Sequence, residues 1–412
     1  MKPSWNAASR KIGSVTDNPE EGRPGCPLRS KAVPLSPRGF ELIRLQRPLD
    51  ESYQSADQQQ LATRIGNSLE VLGSSVVILG HHYQRDEVIR WAHATGDSFG
   101  LSRFAAENSL ARFVVFCGVH FMAESADILT GDDQKVILPD LNAGCSMADM
   151  ADLQDVQACW EDLDQITDIR GVIPITYMNS SAALKAFVGR NGGLVCTSSN
   201  ARAALSWAFG QVKTISERPK VLFFPDQHLG RNTGVQLGYN PKDMHVWDPK
   251  LDTGGLEERQ IKDASILLWK GHCSVHQRFS VPQIQDYRSR HPEGKVVVHP
   301  ECSLEVVEHA DEVGSTDFII RYVASQPAGT KLAIGTEIHL VNRLANNNPH
   351  LTIESLDPLV CPCSTMFRID PMHLCWVLEN LQQERVVNQI TVDPETKQWA
   401  RVALERMLAT TN

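Results

Sequence analysis

The 412-residue chain has no run of lysine and arginine, and its 49 acidic against 40 basic residues leave a formal net charge of −9. A nucleic-acid partner is therefore not expected, because neutralising phosphates needs a basic face. Small anionic substrates remain open, since a local pocket can be positive on an acidic protein. No apolar stretch is long enough to span a bilayer, so no membrane segment is expected. The N-terminus lacks a short basic segment ahead of an apolar core, which predicts no secretory leader and a cytoplasmic location. There is also no low-complexity tract, basic helix or helix-turn-helix. Ten cysteines without a leader point to a reducing compartment, where thiols act as ligands, catalysts or core residues rather than disulfides.

Apolar residues at 42% and charged residues at 22% are ordinary globular values. The length suggests about three domains. Residues 1–60, rich in Pro, Gly, Ser and charge, read as a mobile extension with an idle Cys26 and a helix near 57–72 that packs on the body. Residues 386–412 read as a helical tail. Between them strand-like and helix-like segments alternate, which predicts α/β layering with parallel sheets.

Three apolar runs end in polar clusters. "VVILGHHYQ" delivers His81 and Tyr83, "GVIPITYMNSS" delivers Tyr177 and Asn179, and "GKVVVHPECS" delivers His299 and Glu301. In open α/β sheets ligands bind beyond the carboxyl ends of strands. A hydroxyl recurs downstream of each cluster. Ser98 follows His81 by 17 residues, Thr316 follows His299 by 17, and Ser198 follows Tyr177 by 21. Each precedes a plausible helix, where a hydroxyl is either an ordinary cap or part of an anion site. A cysteine recurs as well: Cys145 and Cys363 each lie 64 residues after their histidine, and Cys273 lies 96 after Tyr177. An excursion over about 231–262, rich in turn residues, accounts for the difference. One αβα unit used three times is the result, over 61–157, 158–285 and 286–385.

Three such units about a pseudo-threefold axis bring Cys145, Cys273 and Cys363 together. Zinc and an iron–sulfur cluster both accept thiolates. Structural zinc wants four closed ligands and no consistent fourth is offered, whereas a [4Fe–4S] cube on three cysteines keeps one iron open as a Lewis acid. A zinc-dependent lyase or hydrolase, or a non-enzymatic iron–sulfur sensor, are the rival readings. Cys361 and Cys363 share "CPC"; spacing favours Cys363, and a redox partnership between the two is open. Cys117, Cys159, Cys302 and Cys375 read as structural, and Cys196 as packing. His276 is a candidate substrate contact and His272 is not. Glu124, Asp127, Asp226, His228, Thr336 and Glu337 read as supporting groups.

The combination "GHHYQRDEV", "GDSFGLS", "PDLNAGCSMAD", "YMNSSAALKA", "CTSSNA", "FFPDQHLGR", "WKGHCSVHQRF", "HPEC", "GSTDFII", "GTEIHLVNRLA" and "CPCSTM" resembles the quinolinate synthase family of bacterial NAD biosynthesis over about 65–385. The resemblance implies three αβα units about a central [4Fe–4S] cluster held by Cys145, Cys273 and Cys363. It implies condensation of iminosuccinate with dihydroxyacetone phosphate, with L-aspartate oxidase or aspartate dehydrogenase as upstream supplier. It also implies substrate contacts from His81, Ser98, Tyr177, Met178, Asn179, Ser198, His276, His299, Glu301 and Thr316, with Tyr83 as the catalytic tyrosine. Glu301 and His299 are the candidates to move protons beside it. His82 stands where many relatives have Asn. Met366 agrees with the family's Cys-x-x-Met pattern after the ligand Cys363.

Overall fold

A computed structural model describes residues 46–108, 110–212, 216, 218–359 and 362–410. Cys26, Cys361 and most of the expected extension lie outside the described residues, and with Cys361 the question of a disulfide in "CPC".

The first unit contains β1 (Val76–His81), β2 (Ala94–Gly96), β3 (Phe113–Cys117) and β4 (Lys135–Ile137). The second contains β5 (Val172–Tyr177), β6 (Leu194–Cys196), β7 (Lys220–Phe224), β8 (Met244–Trp247) and β9 (Ile266–Trp269). The third contains β10 (Lys295–Val298), β11 (Glu312–Val313), β12 (Lys331–Gly335) and β13 (Thr352–Ser355). Each unit forms its own parallel sheet with flanking helices, giving the expected α/β fold of repeated αβα units. The shared order is β2-β1-β3-β4, β6-β5-β7-β9 and β11-β10-β12-β13. The leading strand thus has its next strand on one side and the strand after that on the other. This reversal of direction is the switch point where doubly wound sheets bind ligands.

The leading strands read as unbroken apolar runs because helices cover both faces of a parallel sheet. β1 and β5 are buried at every residue. In the third sheet Val296 and Val298 join one apolar cluster and Val297 another, the two-residue alternation of a strand with a core on each side.

One segment differs from its sequence reading. Residues 231–262, expected as a surface excursion, hold the edge strand β8, which pairs in parallel with β9 and buries Trp247. Gly254 makes this possible: its φ is +67°, and a Cβ there would lie 2.3 Å from the Trp247 ring. Residues 386–410 contain the helix expected of the C-terminal tail, and it is packed on the body. They supply β14 (Gln389–Ile390), antiparallel to β4, and then the helix Pro394–Ala409. That helix buries Ala400, Ala403, Leu404 and Met407. Its Arg406 donates to the carbonyls of Gly189 and Gly193 at 3.0 and 2.7 Å, in the second unit. At the other end the helix Gln58–Leu72, with an Asp57/Gln60 capping box, occupies the place expected of it. Arg64 of that helix and Tyr53 both grip Glu379 on the helix Pro371–Gln382.

Candidate functional site

The three switch points open onto one cavity with an empty volume of about 730 Å³, its mouth included. All the site residues named from sequence line it: His81, Tyr83, Ser98, Cys145, Tyr177, Met178, Asn179, Ser198, Cys273, His276, His299, Glu301, Thr316 and Cys363.

His81 and His299 are built alike. Each ends or follows a leading strand, and each Nδ1 accepts the N–H of the residue two further on, Tyr83 at 3.1 Å and Glu301 at 3.4 Å. A ring nitrogen that accepts carries no proton, so the proton sits on Nε2. Burial drives both pKa values down, to about 3, so both rings are neutral donors at physiological pH.

Ser98 and Thr316 do not cap their helices. Asp97 caps the helix Ser98–Glu107 through the Gly100 N–H at 2.8 Å, and Ser315 caps Thr316–Ala324 through Phe318. In the second unit Asn200 Oδ1 takes the Thr197 N–H at 2.7 Å. Ser98 and Thr316 therefore occupy the first helical position rather than the cap, where free N–H groups and the helix dipole favour an anion.

The three cysteines repeat a motif of their own. The carbonyl of each accepts an N–H four residues on: Asp149 for Cys145 and Gln277 for Cys273 at 3.1 Å, and Phe367 for Cys363 at 2.9 Å. Each is followed three residues later by a single 3₁₀ turn, Ala148–Met150, His276–Arg278 and Met366–Arg368. Such a turn presents peptide N–H groups to the sulfur. Ala148 and Met147 donate to Cys145, and His276 to Cys273. Burial pushes the Cys145 thiol up to about 12 and raises Cys273 as well, with the Glu301 carboxylate adding to both. These are donor positions that need a metal to ionise them. Cys273, His276 and Glu301 also place ligand atoms within 4.8 Å of one another.

Glu301 joins two units. Its Oε2 lies 2.7 Å from His276 Nδ1 and 3.9 Å from His299 Nδ1, and the Tyr177 hydroxyl bonds to it. Burial opposes its ionisation, yet His276 and the hydrogen bond from Tyr177 hold its carboxyl below the ordinary range. The same buried carboxylate, after burial itself, raises both Tyr83 and Tyr177, which stay protonated.

Four of the six residues read as supporting, Asp226, Glu337, Thr336 and Glu124, have definite tasks. Asp226 caps the helix Gln227–Gln236 and also takes the Cys273 N–H. Glu337 caps Ile338–Asn347 and takes the Cys363 N–H at 3.4 Å. Thr336 connects the Tyr83 hydroxyl at 3.0 Å to His276 Nε2 at 3.2 Å. Glu124 accepts the Ala182 N–H at the head of the helix after Asn179. The apolar wall of Val119, Phe121 and Met122 was missed, because in sequence these residues are indistinguishable from core.

The fold and the cavity define an α/β enzyme whose reactive groups come from three repeated units, with a cysteine-rich centre able to take a metal. A family profile described as Quinolinate synthetase A protein matches residues 64–409. The chain is similar to the quinolinate synthase of Corynebacterium glutamicum, 54% identical over 364 residues, 88% of this chain and 91% of that one. It is 52% identical to that of Rhodopirellula baltica over 93% of this chain and 99% of the other. Against that of Streptomyces coelicolor it is 53% identical, over 93% and 94%. The chain belongs to the quinolinate synthetase A family. Among the described residues no helix is long and apolar enough to cross a membrane.

Proposed function

We propose that the chain catalyses the quinolinate synthase reaction in the cytoplasm, condensing iminosuccinate with dihydroxyacetone phosphate and releasing phosphate and water. The observation that carries this is the repeated cysteine turn, present once in each unit and facing the cavity that holds Glu301 and two neutral histidines. Three thiols lining one cavity, two of them with peptide N–H groups on sulfur and Cys363 with the Thr365 hydroxyl, suit a [4Fe–4S] cluster on Cys145, Cys273 and Cys363. When bound, the cluster supplies a Lewis-acidic iron that polarises a substrate oxygen.

The chain's own residues account for the rest. The substrates bring two carboxylates and a phosphate. The helix starts at Ser98 and Thr316, the Ser198 turn, and the Nε2–H groups of His81 and His299 supply donors for those anions. Asn179 orients polar groups beside Tyr177. Met178 and the apolar wall exclude water, which strengthens every polar contact inside. Tyr83, protonated and donating, is the acid for the isomerisation of the three-carbon unit. Glu301, ionised and paired with His276, is the base, and His299 passes the proton on.

The Cys273, His276 and Glu301 donors also suit zinc with mixed sulfur, nitrogen and oxygen ligands, which supports a zinc-dependent lyase as the second reading. Anaerobic purification, an iron, sulfide and zinc assay, and incubation with the two substrates separate the two. Iron with sulfide and quinolinate as product support the first reading. Zinc alone, with no quinolinate, overturns it.

A further inference from the structure

Glu301 sits on a short turn that its own segment closes with few bonds. The Cys302 N–H reaches the His299 carbonyl at 3.0 Å, and the Glu301 N–H reaches His299 Nδ1 at 3.4 Å. The carbonyls on either side of Glu301, those of Pro300 and Cys302, are both taken by one side chain from another unit. Asn232 Nδ2, on the helix Gln227–Gln236, lies 2.8 Å from each. Asn232 is 1% exposed, and its Oδ1 has no hydrogen-bond partner among the described residues. Its amide therefore serves as a fork of two donors. Turned the other way, it would set an oxygen against two carbonyl oxygens.

We infer that Asn232 is the positioning residue for Glu301, acting from the second unit on a turn of the third. The inference rests on the reading of Glu301 as the base. The carboxylate end of Glu301 is held by His276 and Tyr177, which also belong to the second unit. The fork fixes the backbone end relative to the same unit. Both ends of Glu301 are thereby referenced to the same frame, and loosening the turn moves the carboxylate off His276 and Tyr177. Displacements on the order of 1 Å at a reacting group are enough to cost about 100-fold in rate.

A double-mutant cycle tests this. Asn232→Ala, with a serine variant in reserve should alanine fail to fold, is combined with Glu301→Gln in the cofactor-loaded enzyme. Asn232→Ala alone is expected to lower kcat by roughly 10- to 100-fold with KM little changed. In the Glu301→Gln background the same substitution should cost less than about 3-fold, because no base remains to be positioned. Hydrogen–deuterium exchange of the peptide spanning 299–303 should speed up in Asn232→Ala. It should not do so in Asn380→Ala, which removes another buried asparagine side chain, bonded to the Trp376 carbonyl outside the cavity. An equal cost in both backgrounds, or unchanged exchange at 299–303, overturns the inference. A wild-type protein that makes no quinolinate overturns the reading of the function instead, and the exchange measurement then decides the positioning role alone.

Discussion

Tyr83 and Thr316 meet across two units, the phenol hydroxyl lying 3.1 Å from Thr316 Oγ1. The same hydroxyl reaches Thr336, Thr336 reaches His276, and His276 reaches Glu301. One chain of polar contacts thus runs through all three units, and each member limits where the next can sit.

Tyr83→Phe keeps the ring and removes the bridge. The expected outcome is a fall in kcat of roughly 100-fold or more, as for loss of a general acid. The melting temperature should drop by only a few degrees, for a net loss of about 1–2 kcal/mol from two hydrogen bonds. Steady-state kinetics alongside a thermal melt checks both. A variant with full turnover would remove Tyr83 from the chemistry.

Alanine at Cys145, Cys273 or Cys363 should each abolish a stable iron–sulfur centre, because that reading uses all three thiolates, whereas zinc on Cys273, His276 and Glu301 would survive loss of Cys145 or Cys363. Iron and sulfide content, measured after anaerobic purification, should fall to a small fraction of the parent's, with secondary structure by circular dichroism unchanged. Alanine at Cys117, a buried strand thiol, should leave the iron content intact.

Glu379 ties the N-terminal helices to the helix Pro371–Gln382, and its carboxyl is held below the ordinary range first by the Arg64 guanidinium. A depressed pKa means the stabilisation is complete above the unfolded value, about 4.3, and is lost as pH falls through the lower folded value. Glu379→Gln should therefore cost about 1 kcal/mol at pH 7, since the pair is partly exposed. The gap in melting temperature between wild type and variant should close as the pH drops below about 4.

Gly189 lets two helices touch. A Cβ there would lie 2.0 Å from the Trp399 carbonyl oxygen, a backbone atom that cannot swing aside. Gly189→Ala should destabilise by roughly 1–3 kcal/mol or more through overpacking. Limited proteolysis should then release the C-terminal helix Pro394–Ala409 faster than in the parent.

Much of this arrangement is legible in the amino-acid sequence. Unbroken apolar runs announce buried parallel strands, and the recurring distances from His81 and His299 to Ser98, Thr316, Cys145 and Cys363 announce a repeat. A repeated fold puts equivalent residues at equivalent places, so counting along the chain substitutes for seeing in space. That is why every residue chosen for the site lines one cavity.

Other features follow no count. β8 is hidden because the four residues Met244–Trp247 lie among turn formers. The segment 386–412 looks like a solitary amphipathic helix because its partners, β4 and the helix Ala182–Arg190, lie far earlier in the chain. Asp97 and Ser315 take the caps that Ser98 and Thr316 were candidates for, one position away. Asn232 reads as one more polar helical residue until the Pro300 and Cys302 carbonyls arrive beside it. Local patterns of apolar and polar residues decide which elements form and which chemistry each strand end carries, because those depend on near neighbours. Hydrogen bonds and close contacts between distant segments depend on how the elements dock, which no periodicity along the chain encodes.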